Sequence, residues 1–199
     1  MIEVAVVVYN KKFTAHIMRA LNILDVNYHM LLPGDIPLFT PSHIILTGSL
    51  KYVKQSYSIP QWIMDSNTPV LGICFGMQLI AETLGGFILN LPEQEHGPCN
   101  ITEINNGIQR TCSRWMRRSI KVISLPKSFT ITGVTDDNNI ASYTDHVKWW
   151  GVQYHPEAHK HGDLNIFRQF FEVEPTASVC SPSSSICKKK SLFPYHVTT

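Results

Sequence analysis

Between Pro69 and Ala81 the chain reads Pro-Val-Leu-Gly-Ile-Cys-Phe-Gly-Met-Gln-Leu-Ile-Ala. A short apolar run ends in Gly-x-Cys-x-Gly and then resumes at helical spacing. Such a segment is expected to fold as a buried strand turning sharply into a helix. Gly72 and Gly76 permit the tight backbone and leave room around the side chain between them. Cys74 then projects from the turn beside the N-terminus of the helix, where the macrodipole favours a thiolate. That placement sets it apart from a cysteine buried as a small hydrophobe and marks it as a candidate nucleophile.

The flanking sequence supplies the sheet such an elbow needs. Val4 to Val8 is a continuous β-branched run, the signature of a strand buried on both faces. Phe13, Ile17, Leu21 and Leu24 recur at helical spacing, which predicts a helix over 13–24. Tyr28 to Leu32 and His43 to Leu46 are further predicted strands, Ile59 to Met64 a helix, and Val70 to Ile73 the strand entering the elbow. Phe75 to Leu84 is its helix, ended by Gly85-Gly86. The alternation predicts an α/β fold: an open, mostly parallel, doubly wound sheet. After Gly86 the pattern changes to short β-rich pieces (Phe87–Leu91, Asn100–Ile104, Lys121–Ser124, Phe129–Val134), read as antiparallel strands added beside the parallel core. Trp149 to Tyr154 is a last core strand and Leu164 to Phe171 a closing amphipathic helix.

The 199 residues are 44% hydrophobic and 16% charged, a globular composition expected to form one domain over residues 1–173. Residues 174–199 are rich in serine, proline and lysine with little helical period, and are expected to be a disordered tail. The formal charge of +2 owes three lysines to that tail, and no acid lies beyond Glu174. Up to and including Glu174 the chain carries fourteen basic and fifteen acidic residues, so neither nucleic acid nor a membrane surface is expected as a partner. The five cysteines form no disulfide or zinc framework. With no signal-peptide pattern at the start and no long apolar span, a reducing, cytoplasmic location is expected.

About 80 residues past the elbow, Trp150-Gly151-Val152-Gln153-Tyr154-His155-Pro156-Glu157 ends another apolar strand. His155 would emerge at the carboxyl edge of the sheet, where open α/β sheets hold their ligands. Pro156 stops the strand, and Glu157 can fold back to fix the imidazole tautomer and stabilise the imidazolium. Cysteine, histidine and glutamate in that order make a nucleophilic triad. His155, His159 and His161 also have a spacing that could suit a metal, but no cysteine is nearby and Glu157 has another use, so no metal site is expected. Ile44 to Leu46 followed by Thr47-Gly48-Ser49 is a strand entering a small-residue turn. Its backbone N–H groups, with that of Phe75, could hold an oxyanion.

These motifs resemble those of the class I (triad) glutamine amidotransferases over about residues 2–173. The pattern is most similar to the amidotransferase subunit or domain of GMP synthases. The resemblance rests on Gly72-Ile73-Cys74-Phe75-Gly76-Met77-Gln78-Leu79-Ile80-Ala81 and Gly151-Val152-Gln153-Tyr154-His155-Pro156-Glu157. It implies a flavodoxin-like sheet and hydrolysis of glutamine to glutamate. Cys74 would be the nucleophile, His155 and Glu157 the rest of the triad, and Phe75, Gly48 and Ser49 the oxyanion hole. Gln78 and Gly76 would contact substrate, and the Glu95-His96-Gly97 segment would lie near it. The ammonia would pass to an ATP-using synthetase subunit. No Walker-type phosphate loop occurs in this chain, so no cofactor is expected here, and ATP and Mg²⁺ would belong to that partner.

The chain departs from the family in two places. Gly48-Ser49-Leu50 stands where the family has Gly-Gly-Pro. Trp115-Met116-Arg117-Arg118-Ser119-Ile120 replaces a Trp-Met-Ser-His-x-Asp type segment with two arginines and an isoleucine. Two other functions share the motifs: a γ-glutamyl or peptide hydrolase with the same Cys-His pair, and a largely inactive amidotransferase-like binding or regulatory protein.

Overall fold

The computed structural model describes residues 2–50, 57–105, 107–158 and 162–174. The lysine-rich segment, His159 and His161 lie outside them. A single open sheet of nine strands runs through the molecule in the order β2-β1-β3-β4-β9-β8-β7-β5-β6. Its parallel half comprises β1 (Glu3–Val7), β2 (Asn27–Leu31), β3 (His43–Leu46), β4 (Val70–Ile73) and β9 (Trp149–Val152). Taken alone, these five strands have the 2-1-3-4-5 order of flavodoxin-like folds.

Side chains alternate across this half as the strand period dictates. Val4, Val6, Ile45, Leu71 and Ile73 face α1 (Thr14–Ile23) and α4 (Asn165–Phe171), where they meet Ile17, Leu21, Phe167 and Phe170. Ala5, Val7, Ile44, Leu46 and Val70 face α2 (Gln61–Asp65) and α3 (Phe75–Thr83), where they meet Ile63, Met77 and Ile80. Helices on both faces explain why these strands read as unbroken apolar runs. The predicted first helix begins with a 3₁₀ turn over Lys11–Phe13, capped by the Asn10 side chain, which accepts from Lys12 N at 2.9 Å.

The antiparallel half differs from the sequence expectation. Three of the predicted short strands are parts of two long ones, β5 (Phe87–Asn105) and β6 (Ile108–Ser124), which pair as a ribbon. An irregularity between Asn90 and Glu95 absorbs the residues around Pro92. Polar residues of the ribbon line clefts rather than core, so the apolar alternation that signals a strand is broken there. Two further strands complete the sheet, β7 (Thr130–Thr135) and β8 (Ile140–Thr144). β8 was not expected. Its sequence Ile-Ala-Ser-Tyr-Thr is half polar, yet all five residues are buried between β7 and β9.

His43 ties the C-terminal helix to the sheet. Its ring lies edge-on to Phe170 and Phe171, and Nε2 donates to the Val173 carbonyl at 2.9 Å. Burial holds its pKa below the usual 6.5, although the carbonyls of Val173 and Phe170 work against that shift. A histidine kept neutral by folding takes up its proton more readily in the unfolded chain, so its contribution to stability is complete above about pH 6.5 and is lost as pH falls through the lower, folded-state pKa. Hydrogen-exchange protection factors in α4, referenced to the intrinsic rate at each pH, are therefore expected to fall selectively below about pH 6. An equal change in α1 and α4 over that range would remove His43 as the cause.

Candidate active site

The elbow forms where β4 ends and α3 begins. Cys74 has φ 53° and ψ −104°, a conformation L-residues avoid, which is sustained only because its surroundings over-determine it. Cys74 N donates to Val152 O at 2.7 Å, tying the turn to β9. A Cβ on Gly72 would come within 2.5 Å of the Gly76 carbonyl carbon, and one on Gly76 within 2.3 Å of the Leu46 carbonyl oxygen. The two glycines thus let the helix cross its own strand and β3 at backbone contact. Tyr143, buried on β8, pins the first turn of α3 by donating to Met77 O at 2.6 Å.

β9 brings His155 to the same edge. Its backbone N donates to Trp115 O at 2.9 Å, and its Nδ1 donates to Glu157 Oε1 at 2.8 Å. Both side chains are buried, 5% and 2% exposed. Arg19 on α1 holds the turn from behind, donating to the Glu157 carbonyl at 2.9 Å. The Phe13 ring stacks on the imidazole at 5.3 Å and 10°. On the other side Gly48 leaves no spare room: a Cβ there would lie 3.2 Å from His155 Cε1.

The electrostatics are those of an acid–base pair. Burial pushes the His155 pKa down, but the carboxylate of Glu157 and then the sulfur of Cys74 outweigh it, and the net shift is well above the usual 6.5. His155 Nε2, buried, has no partner of hydrogen-bond geometry; the Cys74 sulfur acts on it by proximity, while the thiol itself donates to Arg117 O at 3.2 Å. A folded-state pKa raised in this way contributes stability fully below about pH 6.5, and that contribution is lost as pH rises through the folded value. Replacing Glu157 with Gln removes the largest upward influence. His155 is then expected to titrate at markedly lower pH, read by NMR of the ring Cε1. An unchanged titration would mean that Glu157 does not set the charge of the imidazole.

The remaining candidates divide. Phe75 opens α3, so its N–H has no intrahelical acceptor. Gly48 and Ser49 follow β3, which pairs with β4 through Leu46 and Gly72. Ser49 lines a small cavity together with Cys74 and Gln78. Its φ is not positive, so serine sits there without backbone strain. Gln78 is buried, and its amide nitrogen is committed to Ile120 O at 3.1 Å and Gln153 Oε1 at 3.0 Å, which braces α3 against β6. Glu95 pairs with Arg118 at 2.8 Å, and His96 lines the larger cleft beside His155. Among the described residues no group of three His, Cys, Asp or Glu is placed to hold a metal ion.

Three contributors escaped the sequence reading: Phe13, Arg19 and the backbone of β6. The carbonyls of Trp115 and Arg117, two residues apart on β6, receive His155 N and the Cys74 thiol. Backbone acceptors leave no compositional trace. Only the aromatic at the start of a helix could have pointed to Phe13.

A profile of the glutamine amidotransferase class-I family matches residues 6–173. The chain belongs to that family. The chain is 37% identical over 146 residues to a GMP synthase [glutamine-hydrolyzing] of Vibrio parahaemolyticus, covering 69% of this chain and 28% of the relative. It is 34% identical over the same length to one of Vibrio cholerae. The chain thus spans well under a third of those proteins. Solved structures share its fold. A Thermoplasma acidophilum protein described as one subunit of a GMP synthase has TM-score 0.75 at 23% identity, over 86% of this chain and 93% of that one. A Thermotoga maritima glutamine amidotransferase has TM-score 0.65 at 17% identity, over 79% and 76%. No helix among the described residues is long and apolar enough to cross a membrane.

Proposed function

We propose that this chain is a glutaminase that hydrolyses the side-chain amide of glutamine and supplies the ammonia to a synthetase, one converting XMP to GMP as its relatives' name suggests. The observation that carries this reading is the strained Cys74 elbow beside the buried, hydrogen-bonded His155–Glu157 pair. The Cys74 sulfur attacks the amide carbon, forming a C–S bond as its proton passes to His155, and the oxyanion develops against the N–H groups of Phe75 and the Gly48-Ser49 turn. His155, now an imidazolium, gives that proton to the departing nitrogen as the C–N bond breaks. As a neutral base it then takes a proton from water, whose oxygen attacks the thioester. Glutamate leaves as the C–S bond breaks, and His155 returns its proton to the Cys74 sulfur. Glu157 holds the ring tautomer throughout. Gln78 and Gly76 shape the wall beside the substrate amide. ATP and Mg²⁺ act on the synthetase partner.

The space over Cys74 is about 30 Å³, about the share of one water in the liquid. The neighbouring cleft against His155 is about 370 Å³, ample for an amino acid. Leu50 and Arg117 line both spaces, so a small movement of either would join them. This supports a glutaminase that is slow alone and is stimulated when a partner reorganises that wall. The test is ammonia release from glutamine by the full chain, with and without the synthetase part of a GMP synthase, XMP, ATP and Mg²⁺. Release that rises with the partner supports ammonia supply, and release that ignores it favours a free-standing γ-glutamyl hydrolase. No release in either condition, with glutamine failing to protect Cys74 from alkylation, would sink the enzyme reading.

A further inference from the structure

We infer that Arg117 is the specificity-determining residue that receives the carboxylate of the amino-acid substrate. This rests on the glutaminase reading above and names the part of the substrate that the triad leaves unrecognised.

The argument begins with the pleat of β6. Consecutive residues face opposite sides of a strand, and here Met116, Arg118 and Ile120 are buried while Arg117 and Ser119 are half-buried. The two arginines therefore differ in their surroundings. Arg118 is neutralised by Glu95, whose Oε2 accepts from its Nε at 2.8 Å. Arg117 takes part in no ion pair among the described residues, and its Nε is buried without a hydrogen-bond partner. A guanidinium donor withdrawn from water with nothing to accept from it is costly in the empty site and favourable once an anion arrives.

Its position fits the reacting centre. The Arg117 carbonyl receives the Cys74 thiol at 3.2 Å, so its side chain is rooted beside the nucleophile. It lines both the small cavity over Cys74 and the larger cleft against His155. An arginine side chain is about as long as a glutamine, so the guanidinium can lie one substrate length from the sulfur. The cleft also carries a second cation, Lys12, and the polar rings of His16 and His96 line it with Arg117. Among the described residues its only acid is Glu157, whose Oε1 is already bonded to His155. A planar fork that matches a carboxylate with two parallel hydrogen bonds suits this task better than a point charge.

The experiment compares kcat/KM of the full chain for L-glutamine and for L-glutaminamide, in which the α-carboxylate is an uncharged amide. Wild type is expected to prefer glutamine by about 10- to 100-fold, the usual worth of a charged hydrogen-bonded pair. In Arg117→Gln the preference collapses toward one, and in Arg117→Lys it is intermediate. In Arg110→Gln, an exposed arginine at the far end of β6, it is retained. A wild-type preference near one, or a preference unchanged in Arg117→Gln, overturns the inference. So does an Arg117 effect confined to stimulation by the synthetase, which would make the cleft a dock for an acidic partner segment. If wild type turns over neither compound, the glutaminase reading fails separately. Arg117 is then judged by protection of Cys74 from iodoacetamide. Protection by L-glutamate but not by L-glutaminamide, lost in Arg117→Gln, supports it, and any other pattern overturns it.

Discussion

Cys74→Ala is expected to lower glutamine hydrolysis by about 10⁴- to 10⁶-fold, the scale seen when a triad nucleophile is removed, while the protein still folds. Alanine keeps the backbone conformation and removes only the sulfur. The companion substitution Cys74→Gly should be equally inactive but more stable than Cys74→Ala, by about 1 kcal/mol. At φ 53° and ψ −104° a residue with a Cβ is strained, and glycine is not. The pair therefore separates two roles of the elbow: presenting the proposed nucleophile, and storing strain to do so. Urea unfolding and ammonia release on the same preparations read both. Residual turnover within tenfold of wild type in either variant would show that the sulfur is not the nucleophile. Equal stability of the two would show that the elbow is not strained.

The parts of this arrangement that were legible in the sequence are those written in side chains with a strong period or a sharp backbone demand. Val4–Val7 and Val70–Ile73 are buried on both faces, so their apolar runs announce central strands, and Gly72-x-Cys74-x-Gly76 announces the turn between strand and helix. His155-Pro156-Glu157 was legible because proline ends the strand and puts the two titratable groups on one turn. Less legible was whatever depends on partners distant in sequence. β8 holds Ser142 and Thr144 in the interior because neighbouring strands on both sides satisfy its backbone. The β5–β6 ribbon broke into pieces on reading because Glu95, His96 and Arg117 serve clefts, not core. Gln78 reads as a substrate contact from the resemblance, yet its amide nitrogen is fully engaged by Ile120 and Gln153, partners 42 and 75 residues away. Only its carbonyl side could address a substrate.

The largest stability effect is expected from Gly76→Ala. Alanine is normally the better helix former, by about 1 kcal/mol over glycine, so helix propensity alone predicts stabilisation. Packing predicts the reverse and should win. The added methyl would sit 2.3 Å from Leu46 O and 2.8 Å from Leu46 Cβ. The first of these is a backbone atom of a central strand hydrogen-bonded on both sides, so it cannot give way as the end of a flexible side chain could. α3 must lift off β3 instead, at a cost of about 3 kcal/mol, the upper range of core overpacking. For a domain of this size that lowers Tm by roughly 6–12 °C. Gly34→Ala, where a Cβ would meet nothing within 4 Å, serves as the neutral control. The lift also has a chemical consequence: Phe75 N–H and Cys74 ride on α3, while the Gly48-Ser49 turn rides on β3. Separating helix from strand would open the proposed oxyanion hole, so the proposed glutaminase activity at temperatures where Gly76→Ala is still folded should fall along with Tm. A variant as stable as wild type would mean that the helix and strand are not in backbone contact at this position. A variant destabilised but fully active would mean that the two halves of the oxyanion hole do not depend on their crossing.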